Sequence, residues 1–88
     1  ISRRIDYDRN TIEVEVALPG VAKSAITLKA LPEIFHIEGK REHMLYSGNY
    51  AWGAEVVPEK TTAKYEYGLL RIHAVIRNPM DDAKEVSL

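Results

Sequence analysis

The chain has 88 residues, enough for one domain, and a domain of that size buries only about 60–65% of the surface its unfolded chain exposes. Twelve basic residues against thirteen acidic ones leave a net charge of −1. Nucleic acid is thereby disfavoured as a partner, because a phosphate backbone needs a strongly basic face. There is no cysteine, which removes disulfides, thiolate metal sites and thiol chemistry, and suits a reducing cytoplasm, the expected location. No apolar run approaches the roughly 20 residues of a membrane span and no signal-peptide pattern opens the sequence, so no membrane partner is expected. The sequence opens on Ile1 rather than Met and is expected to be part of a longer protein. Its near-neutral charge gives little colloidal repulsion, as in a domain that associates.

Taken in order, Arg3–Asp8 alternate with Ile5 and Tyr7 on one face, the period of a half-buried strand. Asp8-Arg9-Asn10 carries turn chemistry. Thr11–Leu18 is the clearest strand, with Ile12, Val14, Val16 and Leu18 inward and Glu13 and Glu15 outward. Pro19-Gly20 stops it, since Pro has no N–H for the ladder. Val21–Ala25 has room for one helical turn, and Ile26, Leu28 and Ala30 form a second alternating set. Leu31-Pro32-Glu33 turns the chain, and Phe35 and Ile37 then alternate with His36 and Glu38 as far as Gly39. Residues 43–49 read as a loop with space for one short strand, and Tyr50, Trp52, Ala54 and Val56 alternate again up to Pro58. Tyr65 and Tyr67 alternate with charges, Gly68 interrupts, and Leu70, Ile72, Ala74 and Ile76 resume the pattern, so a glycine corner joins two strands. Asn78-Pro79 ends the last strand, and Asp81-Asp82 lies in a polar tail. Strands at short, regular spacing with almost no helix signal indicate an all-β sandwich.

Other chemistry finds little support. His36, His43 and His73 lack the i, i+4 spacing of a helical metal pair and have no thiolate beside them. His36 and His73 fall on polar phases and read as solvated surface residues. No phosphate-binding glycine loop and no Gly-x-Ser-x-Gly elbow is present, and no carboxylate falls on a buried phase, so no catalytic, cofactor-binding or metal residue is assigned and the chain is not expected to be an enzyme. Trp52, Tyr50 and Tyr46 could make an aromatic platform, but without a basic rim they read as core or interface packing.

Several stretches then fall in one familiar order. Ala17-Leu18-Pro19-Gly20-Val21, Ile26-Thr27-Leu28, Phe35-His36-Ile37-Glu38-Gly39-Lys40-Arg41-Glu42, Val57-Pro58-Glu59 and the Ala-x-x-x-x-Gly-x-Leu spacing of Ala63, Gly68 and Leu70 resemble the alpha-crystallin domain of small heat-shock proteins, over residues 3 to 77. Two departures stand out. The family's Gly-x-Phe-x-Arg-x-Phe strand is replaced by residues 50–56, and the segment from Pro58 to Ala63 is shorter than usual.

The resemblance implies an immunoglobulin-like β-sandwich of about seven to eight strands over residues 1–77, followed by a C-terminal extension over 78–88. It implies an ATP-independent holdase chaperone of the stress response, without a cofactor, that binds unfolding client proteins and assembles from homodimers into larger homo-oligomers. It implies a rim groove formed by Ile26, Leu28, Ala30, Ala63 and Tyr65, able to take an apolar-x-apolar tail motif such as Val86-Ser87-Leu88. It also implies a dimer contact in which Leu45 and Tyr46, on the 43–49 loop, dock near Ile5 and Tyr7 of another subunit. The competing reading is a monomeric module of the same sandwich, either a co-chaperone like the CS domain or a protein–protein adaptor.

Overall fold

The computed structural model describes residues 1–78, Met80 and residues 83–88. Among them are seven strands, β1 (Ser2–Asp6), β2 (Thr11–Ala17), β3 (Ile26–Ala30), β4 (Ile34–Arg41), β5 (Met44–Ala51), β6 (Thr62–Glu66) and β7 (Leu69–Val75). They form a four-stranded sheet in the order β1-β2-β7-β6 and a three-stranded sheet in the order β3-β4-β5, with every pairing antiparallel. Two 3-10 turns, Lys23–Ala25 and Pro58–Lys60, lie between strands. The all-β sandwich expected from the alternation is therefore the architecture observed.

The period-two pattern explains the core. In β2 and β7, Ile12 faces Ala74, Val14 faces Ile72 and Val16 faces Leu70, so one face of the central pair is apolar throughout. Ile12, Val14, Leu70, Ile72 and Ala74 are buried and meet Phe35 and Ile37 from β4, with Leu18, Val21, Trp52 and Val56 closing the ends. The opposite face is polar and tied across strands, where His73 meets Glu13 and Arg71 Nε lies 3.7 Å from Glu15 Oε1. Directly opposed pairs of this kind add modestly to sheet stability.

Four sequence expectations are corrected. Tyr7 is not on the inner face of β1. The strand ends at Asp6, whose carboxylate accepts from the N–H groups of Asp8 and Arg9, and this Asx-type turn leaves Tyr7 68% exposed. Tyr67 likewise leaves the alternation. It shares the β6–β7 turn with Gly68, at φ 51° and 77°, and is fully exposed. Two central residues with positive φ are what a right-twisted two-residue hairpin demands. Of residues 43–49, His43 lies in the turn and the rest form no short strand in a loop but most of β5, which pairs with β4 from Met44 opposite Arg41 to Ala51 opposite Ile34. Residues 50–56 are not a continuous strand. Past Ala51 the chain leaves the sheet, and only Val56 bridges to Ile76. The expected terminator Pro79 and the Asp81-Asp82 pair lie outside the described residues.

The glycine corner has a concrete reason. A Cβ on Gly68 would stand 3.2 Å from Pro19 Cα, and the Gly68 carbonyl accepts from Leu18 N–H at 2.8 Å. Gly68→Ala therefore combines a left-handed backbone with a crowded neighbour. We expect it to lower stability by about 1–3 kcal/mol, read as a shift of the urea midpoint with unchanged slope; an unchanged midpoint would contradict this account.

Candidate functional site

The two sheets do not close around each other. At each long side of the sandwich an edge strand of one sheet faces an edge strand of the other, β3 against β6 and β5 against β1. Such edges present unpaired backbone groups together with the inner face behind them.

The β3–β6 rim holds a shallow cleft of about 180 Å3 lined by Lys23, Ile26, Leu28, Ala63, Tyr65 and Leu70. The alternation places Ile26 and Leu28 on the inner phase of β3, opposite Gly39 and Ile37, and Ala63 and Tyr65 on the inner phase of β6, opposite Ile72 and Leu70. Ala30 shares the phase of Ile26 and Leu28 and is half-buried, but it is not part of the lining. Ala63 has only a methyl group to set against β3, which leaves the rim unfilled there. The Tyr65 hydroxyl lies 2.6 Å from the Leu18 carbonyl and 2.7 Å from that of Val21, sharing its proton between them. That contact fixes one wall of the cleft to the turn through which the chain changes sheet.

The β1–β5 rim is larger. Two adjoining clefts of about 410 and 370 Å3 share Ile1 and Tyr50, and their floor includes Val14, Leu18, Phe35 and Ile37 from the core. Arg3 crosses it, donating from Nη1 to the Ala51 carbonyl at 3.0 Å. By register, Tyr46, Gly48 and Tyr50 lie on the inner phase of β5 and Leu45, Ser47, Asn49 and Ala51 on the outer. Leu45 is 67% exposed. Ile5 packs against the core from β1, and Tyr7 lies exposed beyond the strand end. Val86 and Leu88 are exposed and outside any strand, and neither lines the β3–β6 cleft.

Sequence reasoning missed the character of β5. Met44-Leu45-Tyr46-Ser47-Gly48-Asn49-Tyr50-Ala51 holds no charge, whereas the other free edges carry Arg3, Arg4 and Asp6 on β1, Lys29 on β3, and Lys64 and Glu66 on β6. The available signal was the two-residue spacing of Tyr46, Gly48 and Tyr50; the ring of Tyr50 lies over Gly48, where a Cβ would stand 2.7 Å from it. Trp52 is no platform. It is fully buried, stacks at 4.3 Å on Phe35 and donates from Nε1 to the Leu31 carbonyl at 2.8 Å.

His36 is a titrating group perturbed by its neighbours. It is raised above its ordinary 6.5, first by its hydrogen bond to Glu38, then by that to Asn49, with Lys29 opposing. Among the described residues, no group of three or more His, Asp or Glu side chains is arranged to hold a metal ion, and no helix is long and apolar enough to cross a membrane.

No protein-family model and no curated protein sequence matches the chain. Solved structures do. Heat shock protein 16.0 from Schizosaccharomyces pombe superposes with a TM-score of 0.73 at 18% identity, over 99% of this chain and 81% of that one. A small heat-shock protein from Xylella fastidiosa gives 0.72 at 17% identity, over 100% and 96%. The rat alpha crystallin domain gives 0.61 at 17% identity, over 100% and 97%. The fold is that of the alpha-crystallin domain. At these identities the likeness concerns the backbone arrangement, which agrees with the resemblance carried by the Leu-Pro-Gly and Ala-x-x-x-x-Gly-x-Leu stretches.

The Tyr65 hydroxyl offers a direct check on the cleft wall. Tyr65→Phe keeps the ring but strands the Val21 carbonyl and leaves that of Leu18 with the Val21 N–H at 3.3 Å, at a cost of about 1–3 kcal/mol. We expect a lowered thermal midpoint with the sandwich retained by circular dichroism; full stability in the variant would show that the hydroxyl does not hold the wall.

Proposed function

We propose that this domain is the core of an ATP-independent holdase that acts in the cytoplasm and caps extended apolar segments of unfolding client proteins. The observation that carries this is the pair of unclosed rims, each exposing inner-phase apolar side chains between two edge strands. The β5 edge carries no charge, where a stably folded monomer with no such role would cover or charge it. Near-neutral charge fits apolar rather than nucleic acid partners.

In this reading the β3–β6 cleft takes an apolar-x-apolar segment, from a client or from Val86-Ser87-Leu88 of another copy. Seating two aliphatic side chains contributes about 3–6 kcal/mol, against an association cost of about 4–15 kcal/mol. One such contact is weak, and lasting assembly needs many at once. The Xylella fastidiosa protein forms a distinct high-order structure; here the same outcome is a proposal.

Self-association follows from β5. Because opposed residues on antiparallel strands lie on one face, two β5 strands related by a twofold pair about a single residue, Ser47 or Gly48, and join two three-stranded sheets into one of six. Leu45 and Tyr46 then contact the partner's β5 rather than Ile5 and Tyr7. One observation favours the alternative, a monomeric adaptor like the CS-domain co-chaperones. The turn at Glu42-His43 commits β5 to its own sheet, so it cannot be exchanged as a free arm.

Two experiments decide. The protein should suppress aggregation of a heat-unfolded model client at equimolar subunits without ATP, and Leu28→Asp should retain the fold while weakening capture of an apolar-x-apolar peptide at least tenfold, about 1.4 kcal/mol. No suppression by the unmodified chain would sink the holdase reading. Light scattering at tens of micromolar should give a dimer or larger, and Leu45→Lys, which puts a charge on the edge, should give a monomer. A strict monomer before any substitution would favour the adaptor.

A further inference from the structure

We propose that protonation of His36 latches the free strand β5 to β4, so that the edge offered to a second chain is held more firmly in acid than in base. This concerns regulation of the β5 edge and rests on the self-pairing reading only for its consequence in assembly. The latch itself lies within one chain.

His36 sits mid-sheet on the outer face, opposite Lys29 of β3 on one side and Asn49 of β5 on the other. Its Nδ1 lies 2.7 Å from Asn49 Oδ1 and its Nε2 3.0 Å from Glu38 Oε1. Both neighbours present acceptors, and only the imidazolium has two N–H donors to meet them. The neutral ring has one, which Glu38 takes, so Asn49 stays bound only if its amide turns over to donate Nδ2–H to Nδ1, a neutral bond in place of a charge-assisted and roughly twice stronger one. Glu38 belongs to β4, as His36 does, while Asn49 is the link to β5.

The link matters because β5 is weak by composition. Ser47, Gly48 and Asn49 occupy its middle, and glycine and asparagine both disfavour strands. At the hairpin end, the side-chain tie is the long contact from Arg41 Nη2 to Met44 Sδ, at 3.7 Å. The charged groups facing His36 are Glu38 on its own strand and Lys29 on β3, and β5 contributes none. Glu38 favours the cation and Lys29 opposes it, with the balance toward the cation. A histidine raised in the folded state adds stability that is fully present below its unfolded value of 6.5 and is lost as pH rises through the higher folded value. The latch therefore closes toward acid.

The test is amide hydrogen exchange of residues 45–50 in the full chain, normalised to intrinsic chemical rates, at about pH 5 and about pH 8, on either side of the ordinary histidine range. Protection of these amides should be severalfold greater in acid. Asn49→Ala and His36→Gln should each abolish that difference, while His73→Gln, a change to the pair on the other sheet, should retain it. Glu38→Gln should lower the His36 titration midpoint followed by NMR. An acid-to-base difference that persists in His36→Gln, no difference in the unmodified chain, or an unmoved midpoint in Glu38→Gln would each overturn the latch. Light scattering at the same two pH values separates the two readings. A dimer that weakens from acid to base only when His36 and Asn49 are present supports both. A chain that is monomeric throughout, yet protected through His36, supports the latch and overturns the self-pairing.

Discussion

The corner at Leu18-Pro19-Gly20-Val21 is the constraint on which the rest depends, because there the chain leaves the four-stranded sheet and enters the three-stranded one. Each part of it is held by a different element. Leu18 donates its N–H to Gly68 at the β6–β7 turn, Pro19 offers its carbonyl to Arg41 Nη1 at 3.1 Å, and Leu18 and Val21 share the Tyr65 hydroxyl. Leu18 and Val21 are themselves buried, so the corner is clamped from inside by packing and from outside by hydrogen bonds. A turn fixed in this way sets where the second sheet lies over the first, and so sets the width of the rim between β3 and β6.

Those rims leave inner-phase apolar side chains uncovered at the strand edges. Polar residues are gathered on the outer sheet faces in opposed pairs such as Glu13 with His73 and Glu15 with Arg71, where they solvate the surface. Apolar residues on the inner phase run to the strand edges and past them, from Ile26 and Leu28 on one side to Tyr46 and Tyr50 on the other. The two rims differ in kind. One is narrow, flanked by Lys23 and walled by a pinned tyrosine; the other is wide, floored by the core and bounded by a strand without charge.

Much of the fold was legible because β2 and β7, which make the centre of the larger sheet, have uninterrupted alternation and face each other residue for residue. The β3–β6 groove was expected from the family resemblance rather than from alternation, and Ile26, Leu28, Ala63 and Tyr65 lie along the cleft there. The failures have one origin. Alternation records spacing, not pairing, and Tyr7 and Tyr67 keep a strand's spacing inside turns set by Asp6 and Gly68. Trp52 and Val56 keep it while their N–H groups bind the Glu33 and Pro32 carbonyls in a loop. Conversely, Ser47-Gly48-Asn49 looks like a turn and is the middle of a strand, because the neighbouring hairpin and the inward rings of Tyr46 and Tyr50 override local preference.

Trp52 closes the end of the sandwich with Phe35, and it is the chain's sole tryptophan. Its indole is shut away from solvent and anchored to the Leu31 carbonyl at the β3–β4 turn, where the Trp52 N–H also donates to Glu33. The one indole of the chain, beside five tyrosines, is thus placed where it senses whether that end of the sandwich is intact. Excited apart from the tyrosines, this ring follows melting of that end without any label.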